Sequence, residues 1–158
     1  MIARTPSKER PFFFRVKNRR LIYLLLICLF ALGDFLYFGI ARRTLVFYSN
    51  IGGKMVVEDR MLQRSDDREM DIQRYVNEVL LGPASPRSDL LFPRETRLAS
   101  FMFRDGIVYA NLTEHAALPI NIGEGVYRSF LTLDEGIRRN FSYVKDVRFF
   151  IGGNEVFF

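Results

Sequence analysis

The sequence has no tryptophan, one histidine and one cysteine in 158 residues. A lone cysteine, Cys28, excludes a disulfide framework and any cysteine-based metal motif. It leaves the redox compartment open, because a domain without thiols suits either side of a membrane. The lone histidine, His115 in TEHAALP, has Glu114 beside it. A general base needs an adjacent nucleophile or a polarised water, and no neighbour in sequence supplies one. One histidine without thiols is also a poor start for a metal site. Phosphate loops are missing too: IGGK lacks the spacing, and IGEGVYRS has two glycines where a dinucleotide fingerprint needs three after a strand. The sequence therefore predicts no enzyme, and no catalytic, cofactor-binding or metal residues.

Basic charge is also scarce where a nucleic acid would need it. The net charge is +5, but Arg4, Lys8, Arg10, Arg15, Lys17, Arg19 and Arg20 against Glu9 put +6 into residues 1–20. From Thr44 to Phe158, fourteen Lys/Arg face sixteen Asp/Glu, which leaves −2. No basic stripe invites a phosphate backbone, so nucleic acid is excluded as a partner.

Between these regions, Leu21–Ala41 (LIYLLLICLFALGDFLYFGIA) is apolar but for Asp34. A helix of that length covers roughly 30 Å, a bilayer core. The expectation is a basic cytoplasmic tail over 1–20, an uncleaved transmembrane helix over 21–41, and a domain over 44–158. The positive-inside bias puts the N-terminus in the cytoplasm and the domain outside. Signal-peptide cleavage is disfavoured because the apolar run is long and no small-residue site ends it. Asp34 reads either as a contact with another membrane helix or as a tolerated, solvated acid.

The remainder reads β-β-α-β-β-α-β-β, an α+β fold with two helices on one face of a small sheet. TLVFYS (44–49) and KMVVEDRMLQR (54–64) are strands around an Asn-Ile-Gly-Gly turn. Asp66 and Glu69 form a capping box, followed by a stripe of Ile72, Tyr75, Val76, Val79 and Leu80. Gly82 and Pro83 end that helix. RLASFMF and IVYANL flank Asp105-Gly106, a strong hairpin signal. Asn121 with Glu124 caps a second helix bearing Val126, Phe130, Leu133, Ile137 and Phe141, in which Gly136 marks either a close approach of another element or a compromise in helix propensity. VKDVRFFI and EVFF are the last strands. The acids Asp66, Asp67, Glu69 and Asp71 suit a helix start better than a glycosidase pair. Alternation sends Phe149 and Phe150 to opposite faces, so one aromatic leaves the core. It meets either a second layer or a partner.

Three prolines, Pro83, Pro86 and Pro93, fill the crossover between helix and hairpin. They read as a rigid joint that lowers the entropy of a long connection. The segments EVLLGPASP, FPRETRLASFMFRDGIVYANL and VKDVRFFIGG together resemble the GerMN domain of sporulation and spore-germination proteins. Leu81-Gly82-Pro83, Ser85-Pro86, Pro93, Thr96-Arg97-Leu98, Asp105-Gly106, Tyr109 and Leu112 carry the resemblance, which covers most of 44–158. Ser142-Tyr143 stands where a Pro-Gly turn is common. The resemblance implies an extracytoplasmic domain with a fold like the ring-building motif of envelope-spanning secretion machines. It also implies a role in assembly rather than catalysis.

The functional expectation is a non-enzymatic protein of the bacterial inner membrane. Its outer domain would join other membrane or envelope proteins and form a homo-oligomer, such as a ring. The alternative is a ligand-binding module that senses an envelope component such as a peptidoglycan fragment.

Overall fold

The computed structural model describes residues 16–37, 40–118 and 125–157. The chain divides into two units, one up to Gly39 and a compact domain from Ile40. The first contains helix α1, Val16–Tyr37. Among the described residues, no helix is long and apolar enough to cross a membrane. The reason is where α1 begins and ends. It takes Lys17, Arg19 and Arg20 into its opening turns and carries Asp34 near its close. Leu21 to Gly33 is the uninterrupted apolar part, about 20 Å of helix against a core of roughly 30 Å. Ile40 and Ala41, expected inside the membrane helix, instead begin a strand and pair with Gln63 and Leu62. This overturns the single-pass anchor, and with it the inner-membrane placement and the assigned orientation.

In the domain, β1 (Ile40–Ser49) and β2 (Met55–Gln63) form a long hairpin. α2 (Arg68–Leu81) follows, then the proline loop with the two-residue strand β3 (Ser88–Asp89). β4 (Leu98–Arg104) and β5 (Ile107–Leu112) form the second hairpin. α3 (Val126–Asn140), β6 (Asp146–Ile151) and β7 (Asn154–Val156) complete the domain. The fold is α+β, but it has two sheets where one was expected: β2-β1-β3 and β4-β5-β6-β7. The division arises in the crossovers. The proline loop returns to β1 at Tyr48–Asp89 and Ser49–Ser88, whereas α3 carries β6 to lie parallel to β5. Neither pairing is local in sequence.

Local chemistry explains most of the elements. Asp67 caps α2, accepting from the Glu69 N–H at 2.9 Å. The cap is thus one residue later than the expected Asp66. The predicted stripe Ile72, Tyr75, Val76, Val79 and Leu80 is buried. Asp105 (φ 56°) and Gly106 (φ 87°) make the tight turn between β4 and β5. Positive φ at both central residues gives the primed geometry that follows strand twist. α3 starts behind Gly125 with no side-chain cap. The expected box of Asn121 and Glu124 lies outside the described residues.

The core joins both sheets to α2 and α3. Phe130 of α3 packs on Phe92 of the proline loop (5.1 Å between ring centroids) and on Phe149 of β6 (5.2 Å). Tyr75 meets Phe141 edge-on at 5.6 Å. Arg43, which lies between the expected membrane helix and the expected domain, is half-buried. It donates to the Asn140 carbonyl at 2.9 Å, stacks on Phe141 and lies 3.6 Å from the buried Asp71. Phe157 does not belong to the last strand: β7 stops at Val156 and Phe157 is exposed, while Phe158, expected in the same strand, lies outside the described residues.

Gly136 is where α3 meets α2. A Cβ there would stand 2.3 Å from the Tyr75 hydroxyl oxygen. That oxygen is held in place by a 3.3 Å bond to the Thr44 carbonyl. Gly136→Ala gains about 1 kcal/mol of helix propensity but overpacks a fixed contact, at a cost of about 1–3 kcal/mol. Denaturant unfolding should therefore show a net loss. A stabilised variant would mean the two helices are not locked there.

Candidate functional site: an outward sheet face and a proline-loop cleft

The residues with the most obvious chemistry are all accounted for structurally or left apart. His115 is exposed in a short 3-10 helix, Glu114–Ala117. The acids at the start of α2 do not converge on a common point. Asp67 caps the helix. Glu69 reaches β4 and accepts the Phe103 N–H at 2.8 Å. Asp71 accepts the Ser65 N–H at 2.5 Å and faces Arg43. No group of His, Cys, Asp and Glu among the described residues could hold a metal ion. The backbone geometry leaves two other features.

The first is the face of β4–β7 turned away from the core. β5 alternates strictly, burying Val108, Ala110 and Leu112 and presenting Ile107, Tyr109 and Asn111 outward. The cross-strand partners of Tyr109 are Met102 and Arg148, and those of Asn111 are Ser100 and Phe150. Met102, Tyr109 and Phe150 thus line a shallow cleft of about 410 Å³ with Ser100, Asn111 and Gly153. Arg148 lies over the Tyr109 ring at 5.9 Å. Asn111 accepts the Gly153 N–H at 3.0 Å, fixing the β6–β7 turn at one end of the cleft. The Phe149-Phe150 pair announced this face: Phe149 is fully buried, and Phe150 lies half-exposed on the other side. Neither Met102 nor Tyr109 carried such a signal, because only the strand register brings them together.

The second is the proline loop, which bounds a cleft of about 630 Å³ with Leu80, Leu81, Leu90, Arg94 and Arg97. The loop is held from both sides. Gly82, at φ 92°, closes α2, and a Cβ there would collide with Leu90. Leu91 and Phe92 are buried in the core. Glu58 of β2 accepts the N–H groups of Ala84 (3.1 Å) and Ser85 (3.3 Å). Arg60 ties the same strand to Glu78 at 2.9 Å and to the Gly82 carbonyl at 2.6 Å. The loop is therefore a fixed joint, as its prolines suggested. It also supplies a strand that the sequence did not reveal.

Burial alone would raise the Glu58 carboxyl, but the Ala84 and Ser85 amides and the Arg60 guanidinium hold it below the ordinary 4.5. A lowered carboxylate stabilises the fold above its unfolded-state pKa, and that contribution is lost as pH falls through the folded-state value. Glu58→Gln should cost about 1–3 kcal/mol at neutral pH. The gap to wild type should narrow as pH drops below 4.5. A constant gap across that range would show that the charge on Glu58 does not hold the loop.

No protein-family model matches the sequence, and no curated protein matches it. Solved structures do. The first GerMN domain of the sporulation protein GerM from Bacillus subtilis aligns with a TM-score of 0.57 at 16% identity, over 73% of this chain and 86% of that one. The tandem GerMN domains of the same protein align with a TM-score of 0.53 at 15% identity. That alignment takes 73% of this chain but 40% of the tandem chain, so this chain spans less than half of that structure. A Clostridium perfringens chain provisionally assigned as a lipoprotein gives 0.49 at 18% identity, over 75% and 78%. At these identities the likeness is one of architecture, and it agrees with the motifs of the proline loop and the hairpin: the domain has a GerMN-like fold.

Proposed function

We propose that this domain is a non-enzymatic assembly module of the cell envelope, binding other envelope proteins and copies of itself. The observation that carries the reading is the outward face of β4–β7. Met102, Tyr109 and Phe150 form an apolar centre on hydrogen-bonded strands, with Ser100, Asn111 and Arg148 around it. Aromatic and methionine side chains with an arginine and a polar rim are the composition of protein interfaces. Strands hold such side chains in fixed positions, which lowers the entropy cost of docking. The resemblance to a family of extracytoplasmic sporulation and germination proteins supports the envelope setting. The commitment of Asp67 to the α2 cap, and of Glu69 and Asp71 to backbone contacts, speaks against a general acid–base pair among them.

A second reading has its own observation. The proline-loop cleft carries Arg94 and Arg97 beside leucine side chains. Such a cleft suits an acidic ligand with an apolar part, for instance a carboxylate-bearing peptidoglycan fragment.

Crosslinking in cells followed by affinity purification separates the two. Tyr109→Glu with Phe150→Glu should leave unfolding within about 1 kcal/mol of wild type, as for surface changes, and should abolish crosslinking to other envelope proteins. Recovery of the same partners from a folded double variant would contradict the assembly reading. Binding of muropeptides by wild type, lost in Arg94→Ala, would favour the second.

A further inference from the structure

A sheet ends in strands whose outer N–H and C=O groups need a partner or a cover. Among the described residues, all the edges but one are closed or short. β4 is bulged between Leu98 and Ser100, and the Glu69 carboxylate takes its Phe103 N–H. β7 has three residues and β3 has two. Where β3 stops short, the Asn140 side chain takes the place of a strand. Its oxygen accepts the Thr44 N–H at 2.9 Å and its nitrogen donates to the Thr44 carbonyl at 2.8 Å. β2 is different. It runs for nine residues without a bulge and pairs on one side only, with β1.

The ladder fixes which of its groups are free. The Ser49 N–H bonds to the Lys54 carbonyl, and Asn140 meets Thr44 on the far side of β1. Odd positions of β1 therefore face β2, so even positions of β2 face back. Met55, Val57, Asp59, Met61 and Gln63 direct their backbone groups to the open side. Arg74 already donates to the Gln63 carbonyl at 3.1 Å, which leaves 55–61 uncovered. On the outward face of this stretch Met55, Val57 and Met61 are 58%, 52% and 68% exposed.

The sequence MVVEDRMLQ is complementary to itself when two copies run antiparallel about Asp59. Val57 then stands opposite Met61 of the second copy, Val56 opposite Leu62, and Glu58 opposite Arg60. From Val57 to Met61, every open N–H faces an open C=O. Centring the pair on Glu58 or Arg60 instead opposes like charges, and an odd shift turns the inner face outward. The remaining like pair, Asp59 with itself, carries an Arg42 guanidinium on each copy.

We propose that β2 is a self-pairing edge through which two copies of this chain join, antiparallel about Asp59, into one continuous sheet. The surface lies on the other sheet from the partner-binding face, so either idea can fail alone. The test uses the full chain with Cys28→Ser and single cysteines along β2. Opposed residues in a hydrogen-bonded pair sit roughly 5.5 Å apart, within disulfide reach. Under mild oxidation Asp59→Cys should give a covalent dimer. Val57→Cys and Met61→Cys should each stay monomeric alone, yet crosslink when combined in one chain. In the cysteine-free background, Val57→Pro deletes one open N–H and leaves the β1 ladder whole. It should weaken dimerisation by about tenfold in sedimentation with little change in melting temperature. Failure of both Asp59→Cys and the double variant to crosslink would overturn the proposal. So would single Val57→Cys crosslinking as readily as Asp59→Cys, or a dimer indifferent to Val57→Pro.

Discussion

The structure depends on how the backbone of β1 is satisfied at Thr44. A strand crossing the middle of a domain must pair on both sides, since an unpaired buried N–H or C=O costs about 1–3 kcal/mol. β3 covers only the last two residues of β1. At Thr44 the missing strand is replaced by the carboxamide of Asn140, the last residue of α3. The same nitrogen also donates to the Gly136 carbonyl at 2.8 Å, which sets the side chain's direction. Because α3 leads directly into β6, this contact ties the first sheet to the helix that builds the second. Tyr75 reaches the same Thr44 carbonyl from α2, and its burial pushes the phenol above the ordinary value. Three elements thus converge on one peptide group.

From this follows the division of labour among the edges. Side chains close β1 and β4, and Glu69 and Asn140 do so by bonding to backbone rather than to each other. Among the described residues, what stays open is the long edge of β2 and the outward face of β4–β7. Both are made of hydrogen-bonded strand, so their side chains are held in fixed positions. Asp67, Glu69 and Asp71 are used in a helix cap and in backbone contacts, while Met102, Tyr109 and Phe150 stand on rigid strands.

Much of this was legible in the sequence, and the limits have physical causes. Asp105-Gly106, the stripe of α2 and the Phe130-to-Phe141 face of α3 are local patterns, and they appear where the spacing puts them. Gly136 was legible as either a close approach or a compromise, though not its partner Tyr75. The start of β1 was not legible, because Ile40 and Ala41 extend an apolar run without a break in composition. Whether such residues continue a helix or begin a strand is decided by Leu62 and Gln63, more than twenty positions away. One sheet was expected and two exist for the same reason: the pairings of β3 and β6 are long-range. The capping residue Asp67 rather than Asp66 is a one-residue matter that neighbouring acids obscure. Asn140 carries no signature, and Glu69 was legible only as half of a capping box, since a polar residue on a helix end gives no sign of the strand edge it will meet. The outward aromatic face was half legible. The Phe149-Phe150 pair required it, but Tyr109 and Met102 join it only through register.

The most direct measurement is the unfolding free energy of Asn140→Ala, together with hydrogen exchange at the Thr44 amide. The account predicts a loss of about 2–4 kcal/mol, because two backbone groups lose their partner at once, and a Thr44 amide that exchanges much faster than in wild type. Near-wild-type stability with Thr44 still protected would contradict it, showing that β1 is satisfied by something other than this side chain.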